Sequence, residues 1–132
     1  MLLDTGPMVS LIKEKDSPFS QVYELVFDSF RGNLVTTLPC ITEAMHLVGN
    51  WHFQSMIYKW IEDKSVLILS LSESDLERMA TLMEKYRDTP MDFADASLVV
   101  AAEVLKTKQI FTLDSDFNIY RINDSESFEI VP

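Results

Sequence analysis

Short β-rich runs alternating with longer segments of helical spacing constrain this chain more than any other feature. The runs lie at residues 1–4 (MLLD), 33–37 (NLVTT), 65–70 (SVLILS), 109–113 (QIFTL) and 127–131 (SFEIV). Between them, apolar residues recur at three- and four-residue intervals over 7–13, 18–30, 39–48, 51–63, 73–86 and 90–106, as they do in helices with one buried face. Gly32 closes the second of these segments, Gly49 and Asn50 close the third, and Ser72 and Ser74 precede the fifth as candidate caps. Strands separated by whole helices pair in parallel, because antiparallel neighbours need only a tight turn. The expected fold is therefore α/β, a three-layer α/β/α sandwich around a central, mainly parallel sheet of about five strands.

Nothing interrupts this pattern with a linker, an internal repeat or a low-complexity tract, so residues 1–132 are expected to form one domain. With 47% hydrophobic and 24% charged residues and a mean hydropathy of +0.05, the chain has the composition of a globular protein, not of a disordered one. No apolar run approaches the roughly 20 residues that span a bilayer, and MLLDTGP lacks the basic flank of a signal peptide, so the expectation is a cytoplasmic protein without membrane contact. Cys40 is the only cysteine, which rules out an internal disulfide. It stands six residues from His46 with no third group to orient a catalytic pair, and it reads as a small core or interface residue. The net charge of −10 argues against an extended basic surface for nucleic acid. Any such contact has to be local, or carried by metal ions or a partner, and the same acidity suits a basic protein partner.

In parallel sheets ligands collect beyond the carboxyl ends of the strands. Asp4 closes the first run and Asp114 the fourth, which brings both to the same edge. In TPMDFADASLVVAAEVLK, Thr89 suits an N-cap, Pro90 the first helical position, and Asp92 the third residue of something close to a capping box, so Asp92 is largely accounted for by structure. Asp95 is different: it shares a stripe with Leu98, Val99 and Ala102, is the only charged residue from 94 to 102, and on this register lies too deep for capping. A carboxylate on so apolar a helix needs a cation, a ligand or a paired donor. Glu43 repeats the pattern on a stripe with Cys40 and Leu47. Asp4, Glu43, Asp95 and Asp114 in one crevice would repel one another unless divalent cations stood among them. All-oxygen ligation points to magnesium or manganese and away from zinc, and His46 and His52, lacking a metal-ligand spacing, read as structural or surface residues. Such a cluster is suited to hydrolysis of phosphodiester bonds.

Four pieces, LLDTGPMVSL, LPCITEAMHLV, PMDFADASLVVAAE and QIFTLDSDFNIYR, in their order and spacing span nearly the whole chain, and together they resemble the PIN-domain family and, within it, the VapC-type toxin ribonucleases of toxin–antitoxin pairs. Carried over, the family's acids fall on Asp4, Glu43, Asp95 and either Asp114 or Asp116, with Asp114 preferred because it follows Thr112 in a T-x-D pattern. The resemblance implies an endoribonuclease dependent on magnesium or manganese. Its ligands would be Asp4, Asp95 and Asp114, with Glu43 as a further ligand or a water orienter and Thr5, Asp92, Thr112 and Asp116 in support. It also implies an RNA substrate, homodimers and inhibition by a cognate antitoxin. Lys85, Arg87 and Arg121 lie near these motifs as candidate phosphate contacts, and WHFQSMIYKW is read as mainly core packing in preference to a dimer or antitoxin interface.

Two other readings fit the acids. An aspartyl-phosphate chemistry at Asp4 would make the chain a phosphatase or phospho-accepting domain, although no strand-end lysine accompanies it. Alternatively, the acids only cap helices and solvate a PIN-like protein-interaction module.

Overall fold

The computed structural model describes residues 1–132. In chain order the elements are β1 (Leu2–Leu3), α1 (Thr5–Lys13), α2 (Ser20–Phe30), β2 (Leu34–Thr37), α3 (Leu38–Val48), α4 (Trp51–Glu62), β3 (Val66–Leu69), α5 (Glu73–Lys85), α6 (Phe93–Leu105), β4 (Gln109–Phe111), a 3-10 turn (Ser115–Asn118), β5 (Arg121–Ile122), β6 (Glu126–Ser127) and β7 (Glu129–Val131). Five strands form one sheet in the order β3-β2-β1-β4-β7, and every neighbouring pair is parallel. The six helices flank this sheet, giving the expected α/β sandwich. β5 and β6 pair separately as a small antiparallel hairpin.

Strand order fixes where a site can form. The chain starts at the central strand, steps outward to β2 and β3, then returns to lay β4 on the other flank of β1. Crossovers of the usual right hand carry the helices of the outward steps over one face and those of the return over the other. The order therefore reverses between β1 and β4, and a crevice opens beyond their carboxyl ends. Leu2 and Leu3 pair with Ile110 and Phe111, so Asp4 and Thr112 leave the sheet side by side.

Thirty buried residues form one hydrophobic core. Its densest contributor is α6, where Ala94, Ala96, Ser97, Leu98, Val99, Val100, Ala101 and Ala102 are all buried. Alanines on most sides of this helix let it approach α3, α5, β1 and β2 closely, which the apolar stretch from 96 to 102 permits and a charged face would prevent. From WHFQSMIYKW, Ile57 is buried and Phe53, Met56 and Trp60 pack on the core, whereas Trp51 and Tyr58 stay exposed. No helix is long and apolar enough to cross a membrane.

The starts of two helices and one hairpin differ from the sequence expectation. α1 begins at Thr5, not at residue 7, because Asp4 leaves the strand at once and caps the helix, accepting from the Thr5 amide at 2.7 Å. α6 begins at Phe93 and not at residue 90: the Thr89 and Met91 amides donate to the Tyr86 carbonyl at 2.9 and 3.4 Å, so Pro90 belongs to the turn that closes α5. Asp92, with extended backbone, is the true cap. The β5–β6 hairpin was not anticipated, since two-residue strands leave no alternation to read; its turn uses Asn123 and Asp124 at φ 51° and 62°, a left-handed conformation that Asn and Asp tolerate.

Leu3 lies in the central strand and is 0% exposed. Leu3→Ala is expected to cost about 2–5 kcal/mol in urea unfolding, whereas Leu67→Ala, at a position 39% exposed, should cost well under half as much.

Candidate active site

Asp4 is fixed on every side. Its amide donates to the Phe111 carbonyl at 3.0 Å, Oδ1 accepts from the Thr5 amide at 2.7 Å, and Oδ2 accepts from the Thr112 hydroxyl at 2.6 Å. Thr112 Oγ1 in turn accepts from the Asp114 amide at 3.0 Å, and Asp114 Oδ1 accepts from the Asp116 amide at 2.9 Å. One chain of hydrogen bonds thus runs from the end of β1 through the end of β4 into the 3-10 turn. The hydroxyl beside Asp4 in sequence, that of Thr5, is not part of it: Thr5 Oγ1 donates to the Cys40 carbonyl at 3.3 Å, and only its amide serves Asp4. β2 is tied into the same region, with Thr36 donating to the Leu3 carbonyl at 2.7 Å and Thr37 bonded to Ser97 of α6 at 2.6 Å. These links position α3, which carries Glu43, and α6, which carries Asp95.

Asp95 occupies the third helical position and completes a capping box with Asp92. The Asp95 amide donates to Asp92 Oδ1 at 2.7 Å, and the Asp92 amide donates to Asp95 Oδ2 at 3.2 Å. This corrects the expectation that Asp95 lies too deep to cap; the shift follows from the later start of α6. Asp95 Oδ2 also accepts from the Tyr120 hydroxyl at 3.2 Å. Tyr120 is fully buried and held edge-on by Tyr86 and Phe117, with ring centroids at 5.2 and 5.1 Å. Sequence reasoning missed this tyrosine. The available signal was an aromatic four residues beyond Asp116, which the 3-10 turn folds back under the site.

The four sequence-predicted acids meet in one cleft of about 490 Å³, lined by Asp4, Thr5, Gly6, Val9, Ser10, Glu14, Glu43, Leu47, Asp92, Asp95, Leu113 and Asp114. Asp116 does not line it, so of the two aspartates after β4 it is Asp114 that faces the crevice. Six carboxylates and no Lys, Arg or His stand on its walls. Burial pushes Asp4 up to about 6 against the bonds from Thr112 and Thr5, with the charges of Asp114 and Glu43 adding to the rise. Asp95 is pushed up to about 7, first by burial, then by Asp92, with Asp4 and Asp114 contributing. Burial also raises the Tyr120 hydroxyl, and the neighbouring Asp95 and Asp116 reinforce this, so it stays protonated and donating. Cys40 lies behind the wall, fully buried, its thiol raised to about 12 by burial and by Asp4, and it is inert as a nucleophile.

The donor set fits a divalent cation. Crowded carboxylates without a compensating side-chain cation are what an all-oxygen site requires, and Asp4 is already oriented by two donors. No three of the acids close on a common point as they stand.

The candidate phosphate contacts are engaged elsewhere. Lys85 pairs with Asp124 at 3.0 Å, Arg87 with Glu84 at 3.3 Å, and Arg121 Nη1 donates to the carbonyls of Asn118, Ile119 and Tyr120 at 2.8, 3.1 and 3.0 Å. None of the three lines the cleft. A larger groove of about 690 Å³ adjoins it, sharing Glu43 and Asp92 but walled by Leu38, Leu71, Leu76 and Phe93. It lacks Asp4, Asp95 and Asp114.

Raised carboxyl pKa values make a prediction about stability. Asp4 and Asp95 bind protons more tightly folded than unfolded, where the value is near 3.8, so their contribution is full below about pH 4 and is lost as pH rises through about 6 and 7. Without divalent ions, the melting temperature of wild type should therefore decline over this window more steeply than that of Asp95→Asn. Parallel profiles from the two proteins would contradict the assignment.

Against this geometry, the comparisons with known proteins agree. The model of the PIN domain family matches residues 1–123. Ribonuclease VapC26 of Mycobacterium tuberculosis is 24% identical over an alignment that covers 100% of both chains. The crystal structure of Mycobacterium tuberculosis VapC20, described as a Sarcin-Ricin loop cleaving toxin, superposes with a TM-score of 0.80 at 12% identity, over 99% of this chain and 98% of the other. With all but its last nine residues inside the family match, and the family's fold in place, the chain belongs to the PIN domain family.

Proposed function

We propose that this protein is a divalent-cation-dependent endoribonuclease that hydrolyses RNA phosphodiester bonds, and that it is the toxin of a toxin–antitoxin pair. The observation that carries this reading is the meeting of Asp4, Glu43, Asp95 and Asp114 in one cleft without a basic side chain. A ribonuclease that aligns over its full length, and a Sarcin-Ricin loop cleaving toxin among solved structures of the same fold, support it. Asp4, Asp95 and Asp114 would hold magnesium or manganese, and Glu43 would act as a further ligand or orient the attacking water. When bound, the cation would neutralise the scissile phosphate and lower the pKa of a water it carries.

The chain's own residues do the positioning. Thr112 and the Thr5 amide hold Asp4 in one rotamer, the Asp116 amide holds Asp114, and Asp92 with Tyr120 holds Asp95. Fixed carboxylates lose little freedom when an ion arrives, so affinity is not eroded by ordering. The acidic walls exclude the phosphate backbone until cations are bound, which reconciles a net charge of −10 with an RNA substrate. An RNA substrate supports a cytoplasmic location. Exposed Leu38, Leu76 and Phe93 beside the cleft support homodimerisation or an antitoxin partner at this face.

The phospho-accepting alternative requires an open oxygen on Asp4. It would also need a Lys to accompany the phosphoryl group, and the cleft holds none, which favours the nuclease. The interaction-module alternative leaves the stability cost of the buried acids without compensation.

Purified protein incubated with total cellular RNA should give discrete fragments in magnesium or manganese and none in EDTA. Asp95→Asn is expected to lose at least about 100-fold in rate while keeping the wild-type circular dichroism spectrum. Cleavage that survives EDTA or the substitution would refute the assignment.

A further inference from the structure

A second cavity, of about 320 Å³, abuts the acidic cleft at Leu113 and Asp114, which line both. Its other walls include Tyr23 of α2, Ser115 and Asn118 of the 3-10 turn, and Ile130 of β7. Asp114 is its only charged side chain. The cavity is therefore built neither for a phosphate, which calls for lysine or arginine, nor for a cation, which calls for several oxygens. The Thr112 hydroxyl is engaged with Asp4 and the Asn118 carbonyl with Arg121, whereas the Asn118 side-chain amide and the Ser115 and Tyr23 hydroxyls bond no group of the protein. The turn fixes how two of these groups are presented. Residues three apart in a 3-10 helix eclipse one another, so Ser115 and Asn118 share one side of it. Phe117, between them, is fully buried and packs edge-on against Tyr120 and Phe128, with ring centroids at 5.1 and 5.3 Å. The uncommitted polar groups thus ride on a turn anchored to the core, beside a tyrosine that packs on Phe111 at 6.1 Å.

We propose that this cavity receives the nucleobase of an RNA nucleotide flanking the scissile phosphate, with Asn118 and Ser115 reading its edge and Tyr23 supplying an aromatic wall. The proposal rests on the endoribonuclease reading given above. A base is flat, uncharged and rimmed with donors and acceptors. Proteins that read single-stranded RNA set such bases against aromatic side chains and bond their edges. Asparagine suits the edge because its amide both donates and accepts, and can pair two neighbouring atoms of one base. The volume lies at the lower end of the roughly 300–1,000 Å³ usual for ligand pockets, which suits one small ring system. Since Asp114 is a wall of both spaces, a phosphate held among the acids brings an adjoining base to this cavity. The two spaces divide the substrate between them, phosphate to the acidic cleft and base to its neutral neighbour.

The test is Asn118→Ala, at an exposed position, in the full chain. Total cellular RNA is cleaved in manganese chloride and the fragment ends are sequenced, kcat/KM is measured on an oligonucleotide copied from the strongest cut site, and Mn²⁺ binding is titrated alongside. Wild type should favour one base at a fixed position beside the cut. The variant should lose that preference and roughly 10-fold in kcat/KM, with a Mn²⁺ dissociation constant within about twofold of wild type. Asn118→Asp keeps the size but offers acceptors only, and should change which base is favoured, a shift that damage to the fold does not produce. Identical preferences in wild type and both variants, or no preference beside the cut in wild type, overturn the base pocket and leave the nuclease reading intact. A preference lost together with Mn²⁺ affinity also overturns it, because the turn then acts only through Asp114. If wild type cleaves no RNA in manganese, the endoribonuclease reading fails and the base pocket fails with it.

Discussion

The hydrogen bond from the Thr112 hydroxyl to Asp4 holds together what the rest of the site depends on. It joins residues 108 positions apart in sequence at 2.6 Å, across the point where strand order reverses. From it the network extends to Asp114 and Asp116 on one side and to the Thr5 amide at the start of α1 on the other. A short hydroxyl-to-carboxylate bond also sets the polarity of the arrangement: Asp4 accepts, so it is held ready as an anion even where burial works against its charge.

That opposition between burial and charge explains the local chemistry. The fold crowds acids into a cleft without a compensating side-chain cation, which weakens the metal-free protein near neutral pH. It tolerates this because the core elsewhere is dense: α6 alone buries eight residues, and a bidentate Arg78–Glu103 pair at 3.0 Å joins α5 to α6. The result is a dense scaffold whose uncompensated carboxylates are gathered in one cleft.

Much of this was legible in the sequence, for identifiable reasons. Strand and helix alternation survives as periodicity, so the sheet, its parallel sense and the shared edge of Asp4 and Asp114 could be read directly. Glu43 and Asp95 stood out as charges near the starts of otherwise apolar stripes. Other features depend on backbone geometry that periodicity does not encode. The start of α6 was misplaced because Thr89-Pro90 has the composition of a helix entry while the chain uses it to leave α5. The part played by Tyr120 required the 3-10 turn to fold it back beneath Asp95. The fates of Lys85, Arg87 and Arg121 depended on carboxylates and carbonyls that tertiary structure, not nearby motifs, brought within reach.

The account stands on a divalent ion among Asp4, Asp95 and Asp114. The most direct measurement is an anomalous difference map from crystals of the protein soaked in manganese chloride. A peak inside the acidic cleft, in contact with at least two of those carboxylates and absent from Asp95→Asn crystals, is the predicted result. Ordered density for an empty cleft under the same soak, or a peak only at unrelated surface acids, would contradict it.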